Sequence, residues 1–346
     1  MERIVECVPN FSEGRDRGII DAIAAAISST PGVMLLDVDP NPDYNRVVVT
    51  FVGSPEMVGE VAFCATAVAA ERIDMTRHKG EHPRIGAADV VPFVPVRGVT
   101  MTDCVEIAKR YGKRVAEELH IPVYLYEEAA TRPERRNLAT VRKGEYEGLK
   151  EKLRDPDWAP DFGAALFNPR SGATVTGARE FLIAYNVNLD TDDAKVAHEI
   201  SLRIRESGRP MRDGSAKIVV DARGEKVMIP GRLKAIKAMG VPLEAHAISQ
   251  VSVNVVNYHI TPPHVVFEEV KNEAATLGCK VTGSEIVGLI PLEAVLIAGR
   301  FYAKNNPGLT EGELVQGAIE NLNLSQLGRF DPKKKIIEYL LESEGE

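Results

Sequence analysis

The sequence predicts an α+β protein built as two packed units, and three observations carry that expectation. At 346 residues the chain is about twice the usual domain length of ~150 residues. Its 44% hydrophobic and 27% charged content is that of a globular chain able to bury a large core. Strand-like and helix-like runs then alternate in an order that recurs between the halves.

In the first half a strand is expected near Ile4–Val8, a helix from about Arg15 to Ser28, and strands near Val33–Val38 and Val47–Val52. A helix follows with Ser54 as its cap, Pro55 in its first position and an Ala-rich face to about Asp74. After a charged loop come a strand near Val90–Val94, a helix over Asp103–His120 and a strand near Pro122–Tyr126. Pro156, Trp158 and Pro160, set among acids between Asp155 and Asp161, then interrupt regular structure, and the domain boundary falls there or just after.

The second half opens with an alternating strand over Glu180–Asn188, then a helix over Thr191–Glu206 and a strand near Lys217–Asp221. A connecting helix is expected near Gly231–Met239, then a long strand from His246 to Val256. A helix capped by Thr261, with Pro262 in its first turn, closes at Gly278. Both halves thus read as ferredoxin-like order, β-α-β-β-α-β, with helices on the outer sheet faces and a substrate groove between the inner ones. The expected boundaries are 1–178 and 179–327, with a helical tail over 328–346. Ile336, Ile337, Leu340 and Leu341 give that tail an apolar face, able to pack on its own chain or on a partner.

Charge and cysteine usage exclude several classes. With 42 Lys and Arg against 50 Asp and Glu, the net charge of −8 repels phosphate backbones and anionic lipid. The basic run Lys333–Lys335 sits beside Asp331, so no nucleic-acid partner is expected. Cys7, Cys64, Cys104 and Cys279 form no CxxC pair, which reads as reduced thiols in a cytoplasm. Apolar stretches break before the ~18 residues of a membrane span. The start, with Glu2 and Arg3 before a short apolar run, is not that of a signal peptide.

The densest cluster of reactive side chains is RHKGEHPRIGAADV, which holds Arg77, His78, Lys79, Glu81, His82, Arg84 and Asp89. A histidine held among charges is a natural proton-transfer group, and Gly80, Pro83 and Gly86 imply a shaped backbone; a plain charged surface loop is the other reading. His78 to His82 also spells H-x-x-E-H, a zinc hydrolase pattern that requires a helix. Gly80 and Pro83 oppose a helix there, and no metal is expected. The phosphate-binding, dinucleotide and nucleophile-elbow motifs are missing from the sequence. Two Gly-bearing stretches remain, Gly163–Gly172 and Ser284–Pro291. The first is expected at the domain junction, running into the first strand of the second half. On the long strand Gln250, Ser252 and Asn254 share a face, either solvated or meeting a polar heterocycle.

Five separated blocks, ECVPNFSEG, DVDPNPDYNRVVVTFVG, HKGEHPRIGAADVVPFVPV, GATVTGAREFLIAYNVNL and GSEIVGLIP, resemble the glutamate formiminotransferase family over about residues 2 to 327. The resemblance implies transfer of a formimidoyl group from N-formimidoyl-L-glutamate to N5 of tetrahydrofolate, releasing glutamate during histidine breakdown. The bifunctional animal members carry a cyclodeaminase domain after this one, before which the chain ends, so cyclodeaminase activity is not expected of it.

His82 matches the family's catalytic histidine, a general base. Asp39 is the candidate to stabilise a cationic tetrahedral adduct, with Asn45 assisting. The segment matching Gly163, Ala164, Ala165, Leu166, Phe167, Asn168, Pro169, Arg170, Ser171 and Gly172 contributes to the folate site in the family; Gly163, Pro169 and Gly172 are its shared frame. Gln250, Ser252 and Asn254 would suit a pterin or p-aminobenzoyl-glutamate arm. Arg46, Arg84 and Arg179 are the cations nearest the matched blocks and would meet carboxylates. The family also implies a homodimer. Rival readings are another one-carbon donor (5-formyltetrahydrofolate with glutamate, or formimidoylglycine), a zinc hydrolase, and a folate-binding protein without turnover.

Overall fold

The computed structural model describes residues 3–304 and 306–343, so the first two positions and the last three of the expected tail lie outside the described residues. The chain folds as two compact units that meet in sequence at Glu180 and Phe181.

In the first unit β1 (Ile4–Cys7) and β2 (Asn10–Phe11) precede α1 (Arg17–Ser28), the hairpin β3 (Val33–Asn41) and β4 (Arg46–Gly53), and α2 (Val58–Arg72). Then follow β5 (Ala88–Arg97), α3 (Met101–Leu119), β6 (Val123–Glu127), the short helices α4 (Leu138–Arg142) and α5 (Glu145–Lys152), and β7 (Thr174–Ala178). The Asp16 carboxylate accepts the N–H groups of Gly18 and Ile19 to start α1, and Ile20, Ile23 and Ile27 bury one stripe of it. Thr100 and Asp103 form a reciprocal capping box on α3. The helix expected from Ser54 begins later: the Ser54 carbonyl accepts from Met57 and Val58 in a turn, and α2 starts at Val58.

Across the sheet the order is β3-β4-β1-β5-β7-β6, with β2 continuing β1 between β4 and β5. Pairs from β3 to β5 are antiparallel, whereas β7 runs parallel to both β5 and β6. Alternation fixes the faces. Val47, Val49 and Phe51 of β4 join the core under α1, α2 and α3. Arg46, Val48 and Thr50 point the other way, opposite Asn41, Asp39 and Asp37 of β3, and Asn10 also faces Val48. The expectation of helices on one sheet face only is not met. Leu138, Val141, Leu149 and Leu153 of the α4–α5 region pack with Val90, Tyr124, Tyr126 and Val175 in a second core on the opposite face.

The second unit contains β8 (Ile183–Leu189), α6 (Ala194–Ile204), β9 (Arg209–Pro210), β10 (Met228–Ile229), β11 (Ile236–Leu243), β12 (Ile248–Val255), α7 (Pro263–Thr276) and β13 (Val281–Val287). It ends with α8 (Leu292–Tyr302), α9 (Glu311–Asn321), α10 (Pro332–Lys335) and α11 (Ile337–Ser343). Its antiparallel order, β11-β12-β8-β13, repeats the order β3-β4-β1-β5. The helix expected at Gly231–Met239 is instead β11, paired to β12 from Ile236 to Leu243. Gly240 explains the preference: a Cβ there would stand 2.0 Å from the His198 backbone nitrogen, so α6 packs directly on the strand. The strand expected at Lys217–Asp221 is an irregular ribbon joined by the isolated pairings Arg212–Ile218 and Val220–Lys226. His246 lies in a turn before β12 rather than in the strand. The tail folds onto its own unit, with Ile336 and Ile337 buried, Ile290 donating to the Lys335 carbonyl and Ile337 donating to Ile290.

The stretch Gly163–Gly172 does not lead into the second half. It runs into β7, all of whose residues are buried between β5 and β6. At its end Gly172 forms an isolated pairing with Gly86. Its φ is +67°, and an added Cβ would stand 2.1 Å from the Ile85 carbonyl oxygen. Gly172→Ala is therefore expected to cost about 2 kcal/mol or more and to lower the Tm of the chain by roughly 4–8 °C, read by calorimetry.

Candidate active site around His82

The segment from Asp74 to Ala87 has little regular structure of its own and is held by its neighbours. Met75 donates to the Arg170 carbonyl at 2.9 Å, Ala87 to that of Ser171 at 2.9 Å, and Ala173 returns a bond to Ile85 at 3.0 Å. From the other side the Ser12 backbone N–H donates to Ala87 at 2.9 Å and its hydroxyl to Gly86 at 2.8 Å. The stretch Gly163–Gly172 thus lies against the histidine segment. Within it Asn168 Oδ1 accepts the N–H groups of Arg170 and Ser171, and the Arg170 guanidinium bonds the Ala70 and Glu71 carbonyls. Tyr146 donates its hydroxyl to the Pro169 carbonyl at 2.6 Å. Gly163, Ala164, Ala165 and Leu166 stay exposed, with Phe167 near the Tyr146 ring.

Asn45, in the turn between β3 and β4, closes the loop from above. Its Oδ1 accepts from Gly14 at 3.0 Å, its Nδ2 donates to the Lys79 carbonyl at 3.1 Å, and its own carbonyl lies 2.9 Å from His78 Nε2. Arg84 Nε donates to His78 Nδ1, so the other ring nitrogen carries the proton and donates to Asn45. A Cβ on Gly80 would stand 2.2 Å from the Tyr44 carbonyl oxygen, so glycine permits this backbone approach. The Asn45 amide is accordingly engaged with backbone at both ends and holds the loop.

Arg46, the first residue of β4, places its Nη1 2.6 Å from His82 Nε2. A guanidinium can only donate, so Nε2 accepts and the neutral ring carries its proton on Nδ1. That Nδ1 is buried without a hydrogen bond of ordinary geometry. Burial first, then the charges of Arg46 and Arg142, push the imidazole down to about 3, with the Pro83 backbone opposing. Burial and Arg142 likewise lower Arg46, against Asp89, Asp39 and Tyr44. Arg142, at the end of α4, is paired with Asp89, whose other oxygen accepts the Ile85 N–H at 2.9 Å. Ser12, Tyr44, Arg46, His78 and His82 line one narrow crevice. Beside it a depression of about 450 Å³ is lined by Lys79, Gly80, Arg84, Gly144, Glu145 and Glu147.

Asp39 lies on the same sheet face as Arg46 and acts on it by charge; among the described residues no hydrogen bond joins it to His82. Of the three expected carboxylate binders, Arg46 alone stands at His82. Arg84 is buried and already paired with Glu145 and Glu147, and Arg179 follows β7, donating to the Glu180 carbonyl. Arg142, Ser12 and Asn10 were not singled out by motif. Asn10 and Ser12 lie inside the quoted ECVPNFSEG block, whereas Arg142 belongs to a short helix with no pattern pointing to it. The H-x-x-E-H reading loses its footing, because residues 78–82 are not helical and three of the four ring nitrogens are hydrogen-bonded. Among the described residues no group of three or more His, Cys, Asp or Glu side chains is placed to hold a metal.

In the second unit Gln250, Ser252 and Asn254 stand opposite Asn188, Asn186 and Ala184 of β8. Gln250 Nε2 donates to Asn188 Oδ1 at 2.7 Å and to Glu285 Oε1 at 2.8 Å, and Asn186 donates to the same carboxylate oxygen at 3.0 Å. Gln250 is buried, Ser252 half-buried and Asn254 exposed.

Residues 4–179 match the formiminotransferase domain, N-terminal subdomain, and residues 184–342 match the formiminotransferase domain. The chain belongs to the formiminotransferase domain family. It is 51% identical over 346 residues to a formimidoyltransferase-cyclodeaminase of Dictyostelium discoideum, covering 99% of this chain and 61% of that protein. It is 46% identical to a glutamate formimidoyltransferase of Streptococcus pyogenes serotype M1, covering 87% of this chain and 94% of that one. A glutamate formimidoyltransferase of Thermoplasma acidophilum is 43% identical, with 92% and 97% covered. The chain therefore spans less than two thirds of the length of the bifunctional relatives and nearly all of the single-function ones. No helix among the described residues is long and apolar enough to cross a membrane.

Two outcomes follow from this geometry. Removing the buried Asp89 carboxylate (Asp89→Ala) leaves Arg142 and the Ile85 N–H unpartnered and is expected to cost about 3–5 kcal/mol in urea unfolding. The folded chain holds His82 at about 3, whereas an unfolded histidine titrates near ~6.5, so the unfolded state binds more protons between those values. Stability then rises with pH across that window. His82→Gln should flatten this dependence, seen as a smaller change in urea midpoint between about pH 4 and 7 than in the parent chain.

Proposed function

We propose that this chain transfers the formimidoyl group of N-formimidoyl-L-glutamate to N5 of tetrahydrofolate, giving 5-formimidoyltetrahydrofolate and L-glutamate. The observation that carries the reading is the neutral, half-buried His82 imidazole beside the half-buried Arg46 guanidinium, inside the segment shared with the formiminotransferase family. N5 is an amine nucleophile and the formimidoyl carbon an amidine-like electrophile, so catalysis consists of alignment and proton movement. His82 takes the proton from N5 as the bond to carbon forms and returns one to the departing glutamate nitrogen. The protonated tetrahedral adduct is cationic, and Asp39, on the sheet face that carries Arg46, supplies the balancing carboxylate, with Asn45 fixing the loop.

The exposed part of Gly163–Gly172, together with Gln250, Ser252 and Asn254, holds the pterin and its p-aminobenzoyl-glutamate arm, and the reaction calls for no metal. In this reading residues 1–178 and 179–327 are ferredoxin-like subdomains, with 328–346 as a tail. The matching strand orders of the two units support it. A cytoplasmic homodimer completes the proposal.

Purified chain offered tetrahydrofolate with N-formimidoyl-L-glutamate, formimidoylglycine, or 5-formyltetrahydrofolate plus glutamate is expected to turn over the first fastest, followed spectrophotometrically at the folate. His82→Ala should lower kcat by roughly 10²- to 10⁴-fold with the fold intact. Near-normal turnover in that variant, or no folate product from any donor, removes the proposal.

A further inference from the structure

Three buried nitrogens at or near the His82 crevice have no hydrogen-bond partner of ordinary geometry among the described residues: Arg46 Nε, His82 Nδ1 and Arg142 Nε. Arg142 has Asp89 as its counter-ion. Arg46 has none within ion-pair distance among the described residues, and its guanidinium rests on a neutral ring. A half-buried guanidinium without a carboxylate is a costly arrangement, and it favours capture of an anion. The same contact occupies the lone pair of Nε2, the one ring atom free to accept a proton. Both conditions are relieved together if a carboxylate takes the guanidinium in a two-point pair and draws it off the ring.

We propose that Arg46 is a substrate-operated latch: the α-carboxylate of the amino-acid donor captures its guanidinium and uncovers Nε2 of His82, so the base becomes available only when the donor is bound. The donor identity rests on the function proposed above. The α-carboxylate is the fitting anion because it is attached to the carbon bearing the reacting nitrogen, and so arrives at the base with the electrophile. The folate carboxylates lie beyond a whole p-aminobenzoyl group from N5. The groups facing the ring are consistent with this exchange. Tyr44 packs its ring 5.9 Å away, Arg142 stays neutralised by Asp89, and His78 is tied to Asn45 and Arg84. Asp39, on the same sheet face, favours the charged form of Arg46.

The test is ring-nitrogen NMR of the full chain carrying ¹⁵N-histidine, titrated with pH in the presence of L-glutamate, L-glutamine or isoglutamine. Glutamate and glutamine keep the α-carboxylate, and isoglutamine lacks it. The first two are expected to shift the His82 Nε2 resonance and raise its titration midpoint by at least one pH unit, and isoglutamine to leave both unchanged. Arg46→Gln should show the raised midpoint without ligand and no further response, while Arg46→Lys, which keeps the charge on a thinner head group, responds partially. In transfer assays Arg46→Gln should raise the KM for the donor roughly 10- to 100-fold and move the acid limb of the kcat/KM profile upward. Formamidine, a donor without a carboxylate, cannot draw Arg46 off the ring and should react faster in that variant than in the parent chain. An Nε2 signal indifferent to saturating glutamate, failure of glutamate to bind, or an Arg46→Gln ring that still titrates as in the parent chain overturns the latch. Response to α-carboxylates in a chain that forms no folate product overturns the transferase reading and leaves the latch standing.

Discussion

The site depends on a close backbone approach. The histidine segment meets the sheet only at its C-terminal end, so its shape is set by the strands and loops that press on it. Gly86 against Gly172 and Gly80 against Tyr44 allow main chain to meet main chain where any Cβ would collide. Those contacts fix the loop from two sides, and Asn45 and Ser12 supply the remaining hydrogen bonds. An irregular loop held in this way positions a ring as firmly as a helix would, while leaving the ring at the edge of a crevice.

Electrostatics then decides the protonation state of that ring. Two guanidiniums flank one imidazole, and the nearest carboxylate is committed to Arg142. Burial first, and then the charges of Arg46 and Arg142, keep the imidazole neutral throughout the physiological range. Lysine would not serve equally at position 46. A planar guanidinium can rest on a ring nitrogen with one arm and keep the others for a carboxylate, whereas an ammonium is a single compact charge that is more strongly hydrated.

Much of the succession of strands and helices along the chain was legible because alternation and capping are local signals. The alternating residues of β8 and the Thr100–Asp103 box on α3 act within a few positions. The failures came where a distant element decides. Ile236–Leu243 has apolar spacing compatible with a helix, yet eight cross-strand pairings and the approach of α6 to Gly240 make it a strand. β7 follows a glycine-rich stretch and carries small residues, and parallel pairing on both sides gives it its place. At the site, His82 was readable from its cluster and from the family blocks. Arg142 was not, because its partnership with Asp89 spans 53 positions and follows no motif.

The two units use one strand order for different chemistry. On the face of β3 and β4 away from the main helices, the first unit carries Asp39, Asn41 and Arg46, with Asn10 beside them, and near it lie buried nitrogens, Arg46 Nε and His82 Nδ1, without partners among the described residues. In the second unit β12, the counterpart of β4, carries Gln250 and Ser252, and β8, the counterpart of β1, carries Asn186 and Asn188; the three amides bond one another or Glu285. An unsatisfied, charged surface stores free energy that a reacting ligand can release, whereas a satisfied amide array offers exchangeable hydrogen bonds at little electrostatic cost. The first unit therefore holds buried nitrogens beside a neutral imidazole, and the second a set of amides already paired around one carboxylate.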